Sequence, residues 1–168
     1  MKLIRRSVLA LALLVPLCAL GVTPAGAAGG GGGGGSYGRA SGDAEDRDLR
    51  KAKKAIAKEK WEKAIRYLQR AASREPRNAD AQNLLGYAHR RLGKYDDAFA
   101  FYDKALSLDP EHKQALEYLG EAYLETDQMA EAEKLRDRLR RLCPLSCDEL
   151  TQLDGAFERH AGAQARSG

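Results

Sequence analysis

The sequence predicts an all-α fold built from a repeated pair of helices. Three observations predict it. Prolines recur at a fixed step of 34 residues, at Pro76, Pro110 and Pro144. The same step relates Ala64 to Ala98 and Ala132, Trp61 to Tyr95 and Met129, Ala71 to Ala105, Leu85 to Leu119, and Gly86 to Gly120. A period of that length marks a helix-turn-helix unit that cannot bury its apolar side alone and must stack on its neighbours. Third, the chain has 168 residues, of which 31% are charged, with a mean hydropathy of −0.54. Those values allow one modest domain and exclude a polytopic membrane protein.

The N-terminus has a different composition. Lys2, Arg5 and Arg6 precede an apolar run from Val8 to Leu20, and Pro24-Ala25-Gly26-Ala27 supplies small residues. This is the pattern of a secretory signal peptide over residues 1–27, with cleavage expected after Ala27. The run is short for an uncleaved anchor. Leu17 before Cys18 argues against a lipoprotein, and Arg5-Arg6 only loosely fits a twin-arginine signal. The expected location is therefore periplasmic or secreted. Without the three leader cations the formal charge falls from +4 to +1, too little for a phosphate-backbone footprint, so no nucleic acid is expected. Residues 28–43, with seven consecutive glycines at 29–35, read as a flexible linker.

Residues 44–144 then divide into units at about 45–78, 79–112 and 113–144. The second holds Leu85-Gly86, Ala88, Gly93, Tyr95, Ala98, Tyr102, Ala105 and Asp109-Pro110. The third holds Leu116, Leu119-Gly120, Tyr123, Met129, Ala132 and Pro144. The first matches in its second helix (Trp61, Ala64, Leu68, Ala71, Pro76) but carries Asp48 and Lys51 where apolar residues belong. Over about 100 residues this pattern resembles the tetratricopeptide repeat family, in the secreted bacterial form. The resemblance implies a right-handed superhelix of about three helix-turn-helix units plus a C-terminal capping helix. Within it Gly86 should face Ala98 and Gly120 should face Ala132. Trp61, Tyr95 and Met129 should fill the space beside them, and each proline should start the next helix. The capping helix is expected over 145–162, opened by a capping box at Ser146 to Glu149, with Leu150, Leu153 and Phe157 inward. Residues 163–168 are expected to be a disordered tail.

Cys143 and Cys147 are the cysteines left after the leader. In an oxidising compartment paired cysteines join, and this spacing suits a bridge that fixes the last unit to the capping helix. A redox pair is the rival, but thiol oxidoreductases space their cysteines by two residues rather than three. Zinc would need more ligands, and His160 is the nearest. His89 takes a packing column, and His112 is expected to be solvated at a unit junction. No nucleophile–base constellation is present, so neither an enzyme, a cofactor, a metal nor a small-molecule substrate is expected.

In the resembled family the first helix of each unit lines a concave groove. The matching positions here are Lys53 and Ile56, then Asp80, Asn83, Tyr87 and Arg90, then Gln114, Glu117, Glu121 and Leu124. Tyr87 and Leu124 would give apolar area, and the charges would set the direction of a bound segment. The carboxylate clamp of chaperone-binding members falls on Leu49, Lys53, Leu84, Gln114 and Tyr118. With one cation and no Asn among them, the clamp is absent. The expected function is non-catalytic binding of another protein or peptide segment, as an adaptor or assembly factor in a bacterial periplasm or cell envelope. A thiol–disulfide role and weak homo-oligomer formation are the alternatives.

Overall fold

A computed structural model describes residues 47–167 as seven helices. The expected signal peptide (1–27), the expected linker (28–43) and the first residues of the opening unit lie outside the described residues. The helices are α1 (Arg47–Ile56), α2 (Trp61–Arg74), α3 (Ala79–Arg91), α4 (Tyr95–Leu108), α5 (Lys113–Glu125), α6 (Met129–Leu142) and α7 (Asp148–Ser167). Among the described residues there is no strand, and no helix is long and apolar enough to cross a membrane. Successive helices pair as hairpins, α1 with α2, α3 with α4, and α5 with α6, and the hairpins stack in chain order.

The geometry repeats residue by residue. Lys60, Lys94 and Gln128 each donate a backbone N–H to the carbonyl five residues back, on Ala55, His89 and Tyr123. Before each of these lies a residue with positive φ: Glu59 at 53°, Gly93 at 71° and Asp127 at 57°. Only Gly93 announces that turn by its type, because the left-handed region costs a residue with a Cβ about 1–2 kcal/mol. The junctions between units repeat too. Glu75, Asp109 and Cys143 each close a helix by donating N–H to the carbonyl four residues back. Each stands just before a proline, which forbids helical backbone to the residue ahead of it. The prolines therefore end the preceding helix rather than start the next, which begins three or four residues later. Asn78 and His112 do the starting, accepting through their side chains from the N–H of Ala81 (2.8 Å) and Ala115 (3.3 Å).

Two glycines mark the closest approaches. A Cβ on Gly86 would lie 2.6 Å from the ring of Tyr102, and one on Gly120 would lie 2.8 Å from Leu153. The expected partners, Ala98 and Ala132, are buried but not nearest. Gly120 makes room for α7 instead of its own hairpin partner. Met129 does not fill space beside it, being 41% exposed. Leu153 and Ala156 are buried, with Leu150 and Phe157 packed around them. Leu153 and Ala156 stand 34 residues after Leu119 and Ala122, as those stand after Leu85 and Ala88. So α7 stands in the place of the first helix of a fourth unit.

Its ends differ from expectation. Asp148 opens it, so Cys147 takes the place foreseen for Ser146, and the Cys147 carbonyl accepts from Thr151 N–H. It also continues to Ser167, through the segment read as a tail. Ala161, Ala163 and Ala165 favour helix there, and Gln164 donates to Asp127 at 3.1 Å. Cys143 and Cys147 are joined as a disulfide with Cα atoms 5.8 Å apart, so the loop between α6 and α7 is closed covalently.

Buried apolar side chains form two clusters. One gathers Leu49, Leu68, Ala81 and Leu85 with the small residues of α1 and α2; the other gathers Tyr102, Leu116, Leu119, Leu135, Leu139 and Leu153. Between them α3 buries Gln82, Asn83, His89 and Arg90. The apolar core is thus divided by a polar seam in the second hairpin.

Candidate partner-binding groove

The expected groove residues are aligned on α1, α3 and α5, but at unequal depth. Lys53, Asp80 and Gln114 are exposed; Tyr87, Ile56 and Glu121 are half-buried. Asn83, Arg90, Glu117 and Leu124 are buried, and this corrects their expected role as a surface for a partner. Their side chains serve contacts between α3 and α5 or the core.

Asn83 donates through Nδ2 to Gln114 Oε1 at 3.0 Å. Arg90 donates to Glu121 (2.7 Å) and to Glu125 (2.8 Å), with its plane near the rings of Tyr87 and Tyr118. Burial works against the Arg90 charge, but Tyr102, Glu121 and Glu125 outweigh it and raise its pKa. Leu124 lies in the second apolar cluster and shows only as the floor of a pocket. Glu117 has the least comfortable position. Burial first, then the neighbouring carboxylates of Glu121 and Glu149, push it up to about 8 against a partial pull from Arg90. It holds a proton at neutral pH.

His112 is not solvated as expected. It bridges units, with Nε2 3.1 Å from Asp80 while Nδ1 accepts from Ala115. That pair of contacts selects the tautomer with its proton on Nε2. His89 packs against the Phe101 ring at 5.1 Å and reaches Asp97 at 3.1 Å.

Tyr87 was expected in the groove, but its aromatic neighbours Trp61 and Tyr118 were not. Trp61, from the start of α2, meets Tyr87 edge-on at 5.7 Å, and Tyr87 stacks on Tyr118 at 4.7 Å. Arg91 lies over Trp61 at 4.9 Å. A ladder of three rings thus crosses three units. Trp61 and Tyr118 are half-buried, so each has an edge open to a ligand. Nothing in the local sequence places Trp61 there; its contact with Tyr87 follows from the stacking of one hairpin on the next. At the other end α5 and α7 enclose a pocket of about 210 Å³, floored by Leu124 and Ala156 and rimmed by Glu121, Glu125, Arg159 and His160. The groove therefore runs from Lys53 and Arg91, through aromatic rings, to a rim of mixed charge over an apolar floor. Among the described residues no cluster of three or more His, Cys, Asp or Glu could hold a metal ion.

Comparison with known proteins fits this architecture. Two sequence models described as tetratricopeptide repeat match the chain, over residues 49–112 and 89–142. No curated protein matches it. Several solved structures share the fold. The TPR2B domain of yeast Sti1 in complex with an Hsp70 peptide superposes with a TM-score of 0.63 at 19% identity, covering 69% of this chain and 94% of that one. The first such domain of Spaghetti (RPAP3), bound to the HSP90 peptide SRMEEVD, gives 0.59 at 22%, covering 68% and 90%. PcrH in complex with the chaperone-binding region of PopD gives 0.59 at 18%, covering 73% and 92%.

Proposed function

Because the chain belongs to the tetratricopeptide repeat family, we propose that it is a non-catalytic adaptor or assembly factor that holds an extended segment of a partner protein in the groove. One observation carries the reading: the ladder of half-buried rings Trp61, Tyr87 and Tyr118, which crosses three successive units. Half-exposed aromatic rings supply contact area at small entropic cost. Similar folds that hold peptides (the Sti1, Spaghetti and PcrH complexes) support the reading at the level of fold. Their chaperone peptides are not transferred, because the clamp positions here are Leu49, Lys53, Leu84, Gln114 and Tyr118.

Residues 1–27 support export, and with this fold they support a bacterial periplasm or envelope as the place of action. The disulfide suits an oxidising compartment. Photo-crosslinkers placed at Lys53, Tyr87 and Gln114, and for comparison at Lys104 outside the groove, test the site. The groove positions should capture the same partner and Lys104 should not. Capture at Lys104 alone would refute the reading.

A further inference from the structure

The open end of the stack carries a second surface. In the second hairpin Leu85 packs with Leu49 and Leu68 of the hairpin before it, and Ala88 and Leu92 follow it three and seven residues on. One period earlier the same columns hold Lys51, Lys54 and Lys58. Among the described residues α1 and α2 begin the stack, and these lysines are exposed there, on its end face. Lys60 and Lys63 join them, and the five enclose a cleft of about 200 Å³ against Tyr67 and Ala55. Lys51 Nζ lies 5.7 Å from the centre of the Tyr67 ring. None of the five has an ion-pair partner among the described residues, and no acid lines the cleft.

This face is the focus of a charge separation that the near-neutral total conceals. Residues 47–77 hold twelve Lys or Arg against four Asp or Glu, whereas residues 78–167 hold twelve against seventeen. Arg70 and Arg74 are engaged by Asp48, but the lysines of the end face are not.

We propose that this lysine face docks on the surface of a phospholipid bilayer bearing anionic headgroups. Charge complementarity requires an anionic occupant, and the kind of cation selects among them. Recognition of an acidic protein segment favours arginine, whose rigid fork fixes a carboxylate. Five ammonium groups on flexible stems offer point charges without fixed geometry, which suits mobile headgroups. Lysine stems can lie along an apolar boundary while their charges stay in water, and tyrosine is at home in the same interfacial layer. Clusters of four to eight basic residues are sufficient for such binding, each adding about fivefold in affinity, and the attraction falls within a Debye length. The face lies at the end of the stack, so docking would leave the groove free.

The test uses residues 41–168, which form one compact unit and lack the apolar run at 8–20 that would itself enter vesicles. The fragment should sediment with vesicles of phosphatidylglycerol and phosphatidylcholine, but not with phosphatidylcholine alone, and 0.5 M salt should release it. Lys54→Glu, Lys58→Glu and Lys63→Glu together should weaken binding about a hundredfold or more, with helicity by circular dichroism unchanged. The control Lys94→Glu, Lys104→Glu and Lys113→Glu makes the same change in net charge elsewhere and should lose far less. No binding by the unaltered fragment, equal losses in the two triple variants, or binding to poly-glutamate without vesicle binding would each overturn the proposal. Since no partner protein enters the assay, its failure is distinct from failure of the groove reading.

Discussion

Helices α3 and α5 occupy equivalent places in successive hairpins and bury different chemistry. Gln82, Asn83, His89 and Arg90 in α3 stand in the columns of Leu116, Glu117, Tyr123 and Leu124 in α5. Around α5 the apolar cluster runs without a break into α6 and α7; around α3 it is interrupted. The backbone of the two hairpins nevertheless matches turn for turn. Small residues and fixed turns therefore set the geometry of the unit, and the larger buried side chains decide how firmly it is held and which neighbour it accepts. Polar pairs such as Asn83 with Gln114 and Arg90 with Glu121 can form in only one register of α3 on α5. The seam costs stability and adds specificity.

Substitutions can break the comparison or sharpen it. Arg90→Ala should have the largest effect. It leaves Glu121 without its buried counter-ion and opens a cavity beside the stacked rings of Tyr87 and Tyr118, for a loss of about 2–4 kcal/mol by denaturant unfolding. Arg90→Leu, which copies α5, should lose less. Gly86→Ala should follow at about 1–3 kcal/mol, because the Tyr102 ring that its methyl would meet is fully buried and has little room to retreat.

Gln82→Leu should act in the opposite direction. Both polar atoms of its amide are buried without a partner among the described residues, and the same column holds Leu116 and Leu150. A gain of about 1–2 kcal/mol, read as a higher melting temperature, would identify the seam as the weak layer of the stack.

Glu117 gives a pH signature. Its folded pKa of about 8 lies above the usual carboxylate value, so between about 4.5 and 8 the folded state holds a proton that the unfolded chain has lost. Its contribution to stability is therefore intact below that window and is lost as pH rises through it. Glu117→Gln should remove this slope, making the variant gain on the parent protein as unfolding midpoints are compared from pH 5 to pH 8. The smallest effect belongs to Glu59→Gly, which relieves the left-handed backbone of the first turn and should gain about 0.5–1 kcal/mol.

Much of the fold was legible because proline, glycine and alanine mark positions where backbone geometry permits few alternatives. The left-handed turns at Glu59 and Asp127 were not legible by residue type, although each stands one period from Gly93. The fourth unit was hidden because Asp154 stands in the column of Gly86 and Gly120. First helices start at 79, 113 and 148, so the disulfide loop shifts α7 by one position, while Leu153 and Ala156 keep the period. At the groove the sequence aligned residues on α1, α3 and α5 but did not give their depth. Whether Arg90 reaches solvent depends on Glu121 and Glu125 a full unit later, and whether Trp61 reaches the groove depends on how Tyr87 stacks above it. Neither follows from the pattern of a single helix.

Native-state hydrogen exchange on residues 41–168 tests the division of the core most directly. Central amides of α3 should open at a lower free energy than those of α5, and Gln82→Leu should raise α3 toward α5. Equal protection of the two helices in the unaltered protein, or stronger protection in α3, would contradict a polar seam as the weak layer between two apolar clusters.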